Sequence, residues 1–290
     1  MKKRKNHQII LKSVFILLCL LIVFPFWLLL SASFSSAQSI AEKGYQLWPK
    51  PFDISAYQFV FSNPTSILRA YGLTFAFSVC SMVLSVLLMA MIAYPLARSG
   101  LRGKKAINFF LYFTMLFGGG LVPTYILMAK GLHLNDTFMI YVVRGLISPW
   151  YVFMIRTFFK GIPEEIIESA VIDGASEYKI FSSMILPLSK PVLATVALFT
   201  FLGKWNDWQT SLIYITKPEL YSLQYLLQKI MEDIKIVREN QGLGMDIMKD
   251  IPTETVRMAF AVVVAGPALI VFPFFQKYFV KGLTVGSVKG

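Results

Sequence analysis

Six long apolar runs constrain this chain more than any other feature: Val14 to Leu30, Tyr71 to Leu96, Ile107 to Ala129, Phe138 to Phe158, Val192 to Ile215 and Met258 to Val280. An α-helix rising 1.5 Å per residue needs about 20 apolar residues to cross a hydrocarbon layer about 30 Å thick, and these runs are of that order. Inside lipid every backbone N–H and C=O must be paired within the segment, and runs this long without two-residue alternation read as helices, not barrel strands. The expected fold is an all-α integral membrane protein with six transmembrane helices, forming a single transmembrane domain over 1–290. Composition agrees, with 56% hydrophobic and 15% charged residues against roughly 45–50% and about 25% in soluble domains.

The net charge of +12 would raise the question of nucleic acid in a soluble chain, but its placement points to membrane orientation instead. With the N-terminus inside, the inner segments hold 16 Lys and Arg and the outer segments 10. Five acids lie inside (Glu164, Glu165, Glu168, Asp173, Glu177) and ten outside, so the inner face carries +11 and the outer face 0. By the positive-inside rule both termini are expected in the cytoplasm. Lys2 to Lys5 form a basic start and Ser31-Ala32-Ser33 offers small residues for cleavage, yet the apolar stretch between exceeds the usual 7–15 residues of a signal sequence. An uncleaved anchor is expected. Cys19 and Cys80 sit inside apolar runs, and His7 and His133 stand alone, so neither a disulfide framework, a metal site nor a catalytic constellation is expected.

The working parts are expected in three connecting segments, Ser31 to Ala70, 160–191 and Thr216 to Arg257, since long loops rarely persist without a role of their own. The second holds most of the information. Pro163 suits a first helical position, and Glu164 and Glu165 suit the first turn, where carboxylates meet the positive end of the helix dipole. Ile166 with Ala170, and Ile167 with Val171, repeat at four-residue spacing as an apolar face. Gly174 ends or bends this helix; Asp173 or Ser176 caps a second one carrying Tyr178, Phe181 and Ile185, which Pro187 and Pro191 close. A helix resting in the lipid headgroups is the alternative, but such helices are basic on their polar face. This one is acidic, which favours a protein partner.

The stretch Glu168-Ser169-Ala170, three residues, Gly174, nine residues, Met184-Ile185-Leu186-Pro187 resembles the cytoplasmic E-A-A-x3-G-x9-I-x-L-P signature of permease subunits of binding-protein-dependent ABC importers. Ser169 replaces an Ala and Met184 an Ile, both within size class. Ala93-Tyr94-Pro95-Leu96-Ala97-Arg98 resembles the A-Y-A-L-A-R of the maltose-type, carbohydrate-uptake branch, with Pro95 in place of Ala. The segment from Gln276 to Gly290 resembles that branch's Q-x-x-x-V-x-G-L-T-x-G-x-V-K-G ending. The nearest in character are smaller permeases of oligosaccharide importers, including those for uronate oligosaccharides.

The resemblance implies the type I importer permease fold in a bacterial cytoplasmic (inner) membrane, in contact with lipid, with a second homologous permease, an ATPase dimer and an extracytoplasmic oligosaccharide-binding protein as partners. It implies that 160–191 is the coupling segment seated on the ATPase. Glu164, Glu165, Glu168, Ser169, Ala170, Asp173, Gly174, Ala175, Leu186 and Pro187 are the coupling residues it points to. No cofactor is expected in this chain; ATP and Mg belong to the partner ATPase, because the nearest string to a phosphate-binding loop, Gly100-Leu101-Arg102-Gly103-Lys104-Lys105, has the wrong spacing and no Ser or Thr.

Arg144, Lys204 and Asp207 are the clear charges within the apolar runs, and ionisable groups there face a bundle interior or a cavity. Lys204 and Asp207, three apart on a helix, are expected to pair. Trp205, Asn206, Asp207 and Trp208 form an aromatic and polar cluster suited to sugar rings, about 20 Å into the fifth run; an interfacial belt is the alternative. Gly118-Gly119-Gly120 with Pro123 is expected to break the third run. Tyr221, Gln224, Tyr225 and Gln228 are expected on a short outer helix facing the binding protein. The rival functional reading is an ion-coupled secondary transporter, which leaves the acidic inner loop unexplained.

Overall fold

The computed structural model describes residues 2–239 and 253–286, which are helical apart from turns and one isolated antiparallel bridge between Ser35 and Phe52. Three segments among them, Ile10–Ser33, Pro64–Ala97 and Glu254–Phe275, are each long and apolar enough to cross a membrane. Two further candidates are bent pairs: Lys104–Leu116 with Leu121–Gly131 at 113°, and Glu177–Leu188 with Lys190–Trp205 at 78°.

The breaks have local causes. The expected break of the third run falls at the glycine triplet, where Gly120 takes φ +82°, a left-handed value that costs glycine nothing and other residues about 1–2 kcal/mol. The fourth run is not one rod: helix Met139–Val143 stops at Arg144, Gly145 turns at φ +70°, and helix Pro149–Lys160 starts afresh. Proline drives the residue before it out of the helical region, and Ser148 is accordingly extended at φ −108°, ψ 114°. In the fifth run, helix Lys190–Trp205 ends at Asn206, whose side-chain amide donates to the carbonyl of Leu202 at 2.9 Å. Such local bonds compete with helix continuation, and a short helix Gln209–Tyr214 follows. The sixth run lies within helix Thr253–Gly286, which holds Pro267 and Pro273.

The described residues group into two compact units, Met1–Leu68 with Leu226–Gly266, and Arg69–Tyr225 with Pro267–Gly290. In the first, the end of helix Lys2–Ser33 is tied to the following loop: Ser31 Oγ donates to the Gln46 carbonyl at 2.8 Å, Ser33 and Tyr57 hydroxyls lie 2.8 Å apart, and the Phe34 ring stacks on Phe52 and Tyr57. In the second, a buried core joins Met89, Ala93 and Leu96 to Val152, Ile155 and Phe159, to Ile167 and Ala170, and to Ile180, Ile185 and Val196. Of the short helix expected to carry Tyr221, Gln224, Tyr225 and Gln228, the last three lie on a 17-residue helix, Leu223–Glu239, while Tyr221 precedes it in extended backbone; residues 240–252 of that loop and 287–290 of the C-terminal motif lie outside the described residues.

A latch between two loops completes the second unit. Asp136 Oδ1 accepts the backbone N–H groups of Thr216 and Lys217 at 2.6 and 3.0 Å, and Oδ2 accepts the Thr216 hydroxyl at 2.6 Å. These bonds, the Thr216 hydroxyl first, hold the Asp136 carboxyl below the usual carboxylate range. A lowered folded-state pKa stabilises above the ordinary value near 3.9 and loses its effect as pH falls through the lower value. The latch is therefore expected to stay closed from neutral pH down to about 4 and open below. In Asp136→Ala it is expected to be open at pH 7, read as faster hydrogen exchange at Thr216 and Lys217; equal exchange in both proteins contradicts the latch.

Candidate functional site

The 160–191 segment folds as a helix, a bend and a second helical stretch. Helix Glu164–Ile172 carries Glu164 and Glu165 in its first turn, with Pro163 just outside at the cap. It buries Ile167 and Ala170, while Ile166 and Val171 stay exposed, so the apolar face is a narrow stripe instead of the two rows that the spacing suggests. At its end the N–H of Gly174 reaches Val171 and that of Ala175 reaches the carbonyl of Ala170 at 2.9 Å, with Gly174 at φ +75°, a glycine helix stop. Ser176, not Asp173, caps the next helix, Glu177–Ile180, by accepting the N–H of Lys179.

A π-turn over Phe181–Ile185 follows and shifts the register. Ile185 is thereby buried and Phe181 half-buried, but Tyr178 is 79% exposed instead of sharing their face. Glu165, Glu168, Ser169, Asp173 and Pro187 are exposed, Ala175 and Leu186 half-buried. Ser169 Oγ bonds back to the Ile166 carbonyl at 3.0 Å. Ile172, at 85%, and Tyr178 are the most exposed large apolar side chains of the segment.

Sequence reasoning missed how the second motif holds the first. The Ala93–Arg98 stretch ends helix Pro64–Ala97 beneath this segment: the Tyr94 hydroxyl donates to Glu177, Arg98 Nη2 lies 3.4 Å from Glu177 Oε1, and Ser99 donates to Glu164 Oε1 at 2.9 Å. Arg156 Nε closes the same end by donating to the Leu96 carbonyl at 3.0 Å. Tyr94 and Arg98 thus orient an acid of the other motif. A three-residue signal of this kind across 80 positions is invisible to periodicity.

The intramembrane charges meet where the fourth and fifth runs are broken. Lys204, 8% exposed, donates to the carbonyls of Tyr141 and Arg144, both at 2.5 Å. These are carbonyls at the C-terminal end of helix Met139–Val143, where unpaired acceptors and the dipole favour a cation. Asp207 turns away from its expected partner Lys204: it accepts Thr210 N–H at 3.0 Å and the Thr210 hydroxyl at 2.5 Å, capping the next helix, and pairs with Arg144 Nη1 at 3.8 Å. Arg144 Nη1 also donates to Thr210 Oγ1 at 2.9 Å.

An open-sided cavity of about 610 Å³ adjoins this cluster, walled by Asn206, Asp207, Trp208 and Gln209 with Arg144, Lys204, Ser85, Tyr151 and Thr200. Trp205 does not reach it; it is 1% exposed, packed against Phe201 and Tyr71. The aromatic side chains beside the cavity are Trp208, Tyr151 and Phe199, none of them separable by pattern from packing aromatics. Among the described residues no group of His, Cys, Asp and Glu has the geometry of a metal site.

A buried core holding an acidic outward segment at one end of the unit, and a charged cavity between broken helices, define a transport protein more than a catalyst. Residues 69–285 match the family described as binding-protein-dependent transport system inner membrane component, and this chain belongs to that family. It is 37% identical over 92% of its length to Protein LplC of Bacillus subtilis (strain 168), covering 90% of that protein. It is 34% identical to the polygalacturonan/rhamnogalacturonan transport system permease protein YtcP of the same organism, over 99% of this chain and 100% of that one. Its fold matches a chain from the crystal structure of a bacterial ABC transporter involved in the import of the acidic polysaccharide alginate, with a TM-score of 0.80 and 27% identity over 96% of this chain and 98% of that one. Membership makes the chain a transport permease of the inner membrane and sets aside the ion-coupled secondary transporter.

Proposed function

We propose that this chain is one of two permease subunits of an ATP-driven importer that brings an acidic oligosaccharide across the cytoplasmic membrane. It works as a single transmembrane domain of six spans, two of them the bent pairs and one the broken segment Met139–Lys160, with both termini in the cytoplasm. Its partners are a second, homologous permease, an ATPase dimer that binds ATP and Mg, and an external oligosaccharide-binding protein.

The observation that carries the coupling role is the surface of Glu164–Lys179. Four acids, Glu164, Glu165, Glu168 and Asp173, share it with exposed Ile172 and Tyr178. Apolar side chains this exposed among charges suit a protein joint. Asp173 at a helix C-terminus opposes the dipole by about 0.3–1 kcal/mol, so local helix stability does not select it. The segment's underside belongs to the same core as Ala93, Ile155 and Val196, so a push on it moves helix ends and not a loose loop. Such a lever transports only where ATP and the loaded binding protein favour one opening of the bundle over the other.

The acidic-substrate reading rests on the polygalacturonan permease and the alginate importer among the similar proteins and on the excess of cations at the cavity. Purification of the tagged chain from its host tests the assembly. An ATPase and a second permease are expected to co-purify, and Glu168→Lys is expected to release the ATPase while the second permease stays. A chain that purifies alone contradicts the proposal.

A further inference from the structure

The cavity beside Lys204 has unspent hydrogen-bonding capacity of a particular kind. Two cations, Arg144 and Lys204, face one acid, Asp207, so the wall carries a net positive charge. The Lys204 ammonium is engaged by two backbone carbonyls and not by a carboxylate. Arg144 presents five N–H donors in a planar fork. Its contacts to Thr210 and Asp207 both use Nη1, which leaves Nη2 and Nε without a partner among the described residues. Its side chain is 30% exposed.

Two hydroxyls on the same wall are also unspent: Ser85 Oγ and Thr200 Oγ1 are buried and have no hydrogen-bond partner among the described residues. Buried polar atoms ordinarily find one, and Ser85 is only 1% exposed. Trp208 is 38% exposed at the rim. A fork with a free edge matches a carboxylate in two-pronged fashion, orphan hydroxyls match hydroxyls, and an exposed aromatic face matches the C–H face of a pyranose ring.

We infer that this cavity is a sugar-acid subsite of the translocation path, in which Arg144 reads the carboxylate of a uronate unit through Nη2 and Nε, and Ser85 and Thr200 bond its hydroxyls. The inference rests on the importer reading and adds to it a selectivity residue. Asp207 positions Arg144 from one side, and Lys204, tied to the helix end, supplies charge without direct contact. A neutral sugar leaves the fork unpaired and passes less readily, because an unmatched buried polar group costs more than a matched one gains.

The test uses the complete importer in proteoliposomes, with trigalacturonic acid and its methyl-esterified, uncharged form as probes. The wild type is expected to take up the acid in preference to the ester. Arg144→Gln is expected to reduce uptake of the acid about tenfold or more, the size of losing one hydrogen bond to a charged group, while uptake of the ester holds or rises because no unpaired fork then faces it. Gln209→Glu serves where Arg144→Gln fails to assemble: it adds a carboxylate to the exposed rim without touching Arg144, and the same loss of preference is expected. Equal losses for acid and ester, or none, overturn the subsite. Uptake of neither probe by an assembled wild-type complex overturns the acidic-sugar reading itself, which separates the two failures.

Discussion

Gly174→Val is expected to stop ATP-driven uptake while the chain still inserts and assembles with its partner permease. Gly174 sits at φ +75°, where a side chain costs about 1–2 kcal/mol and a β-branched one more, a factor of roughly 5–30 or greater in the population of the bent form. A Cβ there meets nothing within 4 Å among the described residues. The loss therefore comes from the bend, which sets Ser176 and Glu177 over Tyr94 and Arg98. Gly174→Asn keeps the left-handed conformation at low cost, so it is expected to lose less than valine. Uptake at the wild-type level in the valine variant contradicts a rigid bend as part of the lever.

The second large effect is on stability. Lys204→Met is expected to lower the melting temperature of the detergent-solubilised complex by several degrees. It removes the donor to the carbonyls of Tyr141 and Arg144, and each buried acceptor left unpaired costs about 1–3 kcal/mol. Lys204→Arg, which keeps charge and donors, is expected to recover part of the loss. Asp207→Asn still accepts from Thr210 and is expected to move the melting point less. An unchanged melting temperature in Lys204→Met means the broken end of helix Met139–Val143 finds other partners.

These two positions also show what the sequence makes legible. The all-helical class, the break at Gly118–Gly120, the Gly174 stop and a cap at Asp173 or Ser176 are carried by short-range rules of glycine, proline and polar side chains and read directly from the chain; the choice of Ser176 does not. Summed hydropathy hides what those rules reveal only when applied inside an apolar run. Gly145 and Pro149 split the fourth run, and Asn206 ends the fifth helix, in segments that read as continuous because apolarity and not helix continuity was being counted.

Pairing is harder still. Lys204 and Asp207 are correctly spaced for a helical ion pair, yet the helix ends between them, so Lys204 satisfies carbonyls of another segment and Asp207 goes to Arg144. The Tyr94–Glu177–Arg98 contact and the orphan hydroxyls of Ser85 and Thr200 likewise depend on which helices adjoin. Tyr178 is exposed while Ile185 is buried, and the π-turn over Phe181–Ile185 between them changes the register by one residue, which no three- and four-residue spacing anticipates.

The central claim, that Glu164–Pro187 is the joint with the ATPase, is tested most directly by cross-linking from its exposed surface. Tyr178→Cys is introduced after Cys19 and Cys80 are replaced by Ser, and the reconstituted importer is treated with a short bifunctional maleimide with and without ATP. The expected result is a covalent adduct between this chain and the ATPase subunit, with a yield that changes when ATP is bound. Absence of any adduct in an importer that still takes up sugar contradicts the claim.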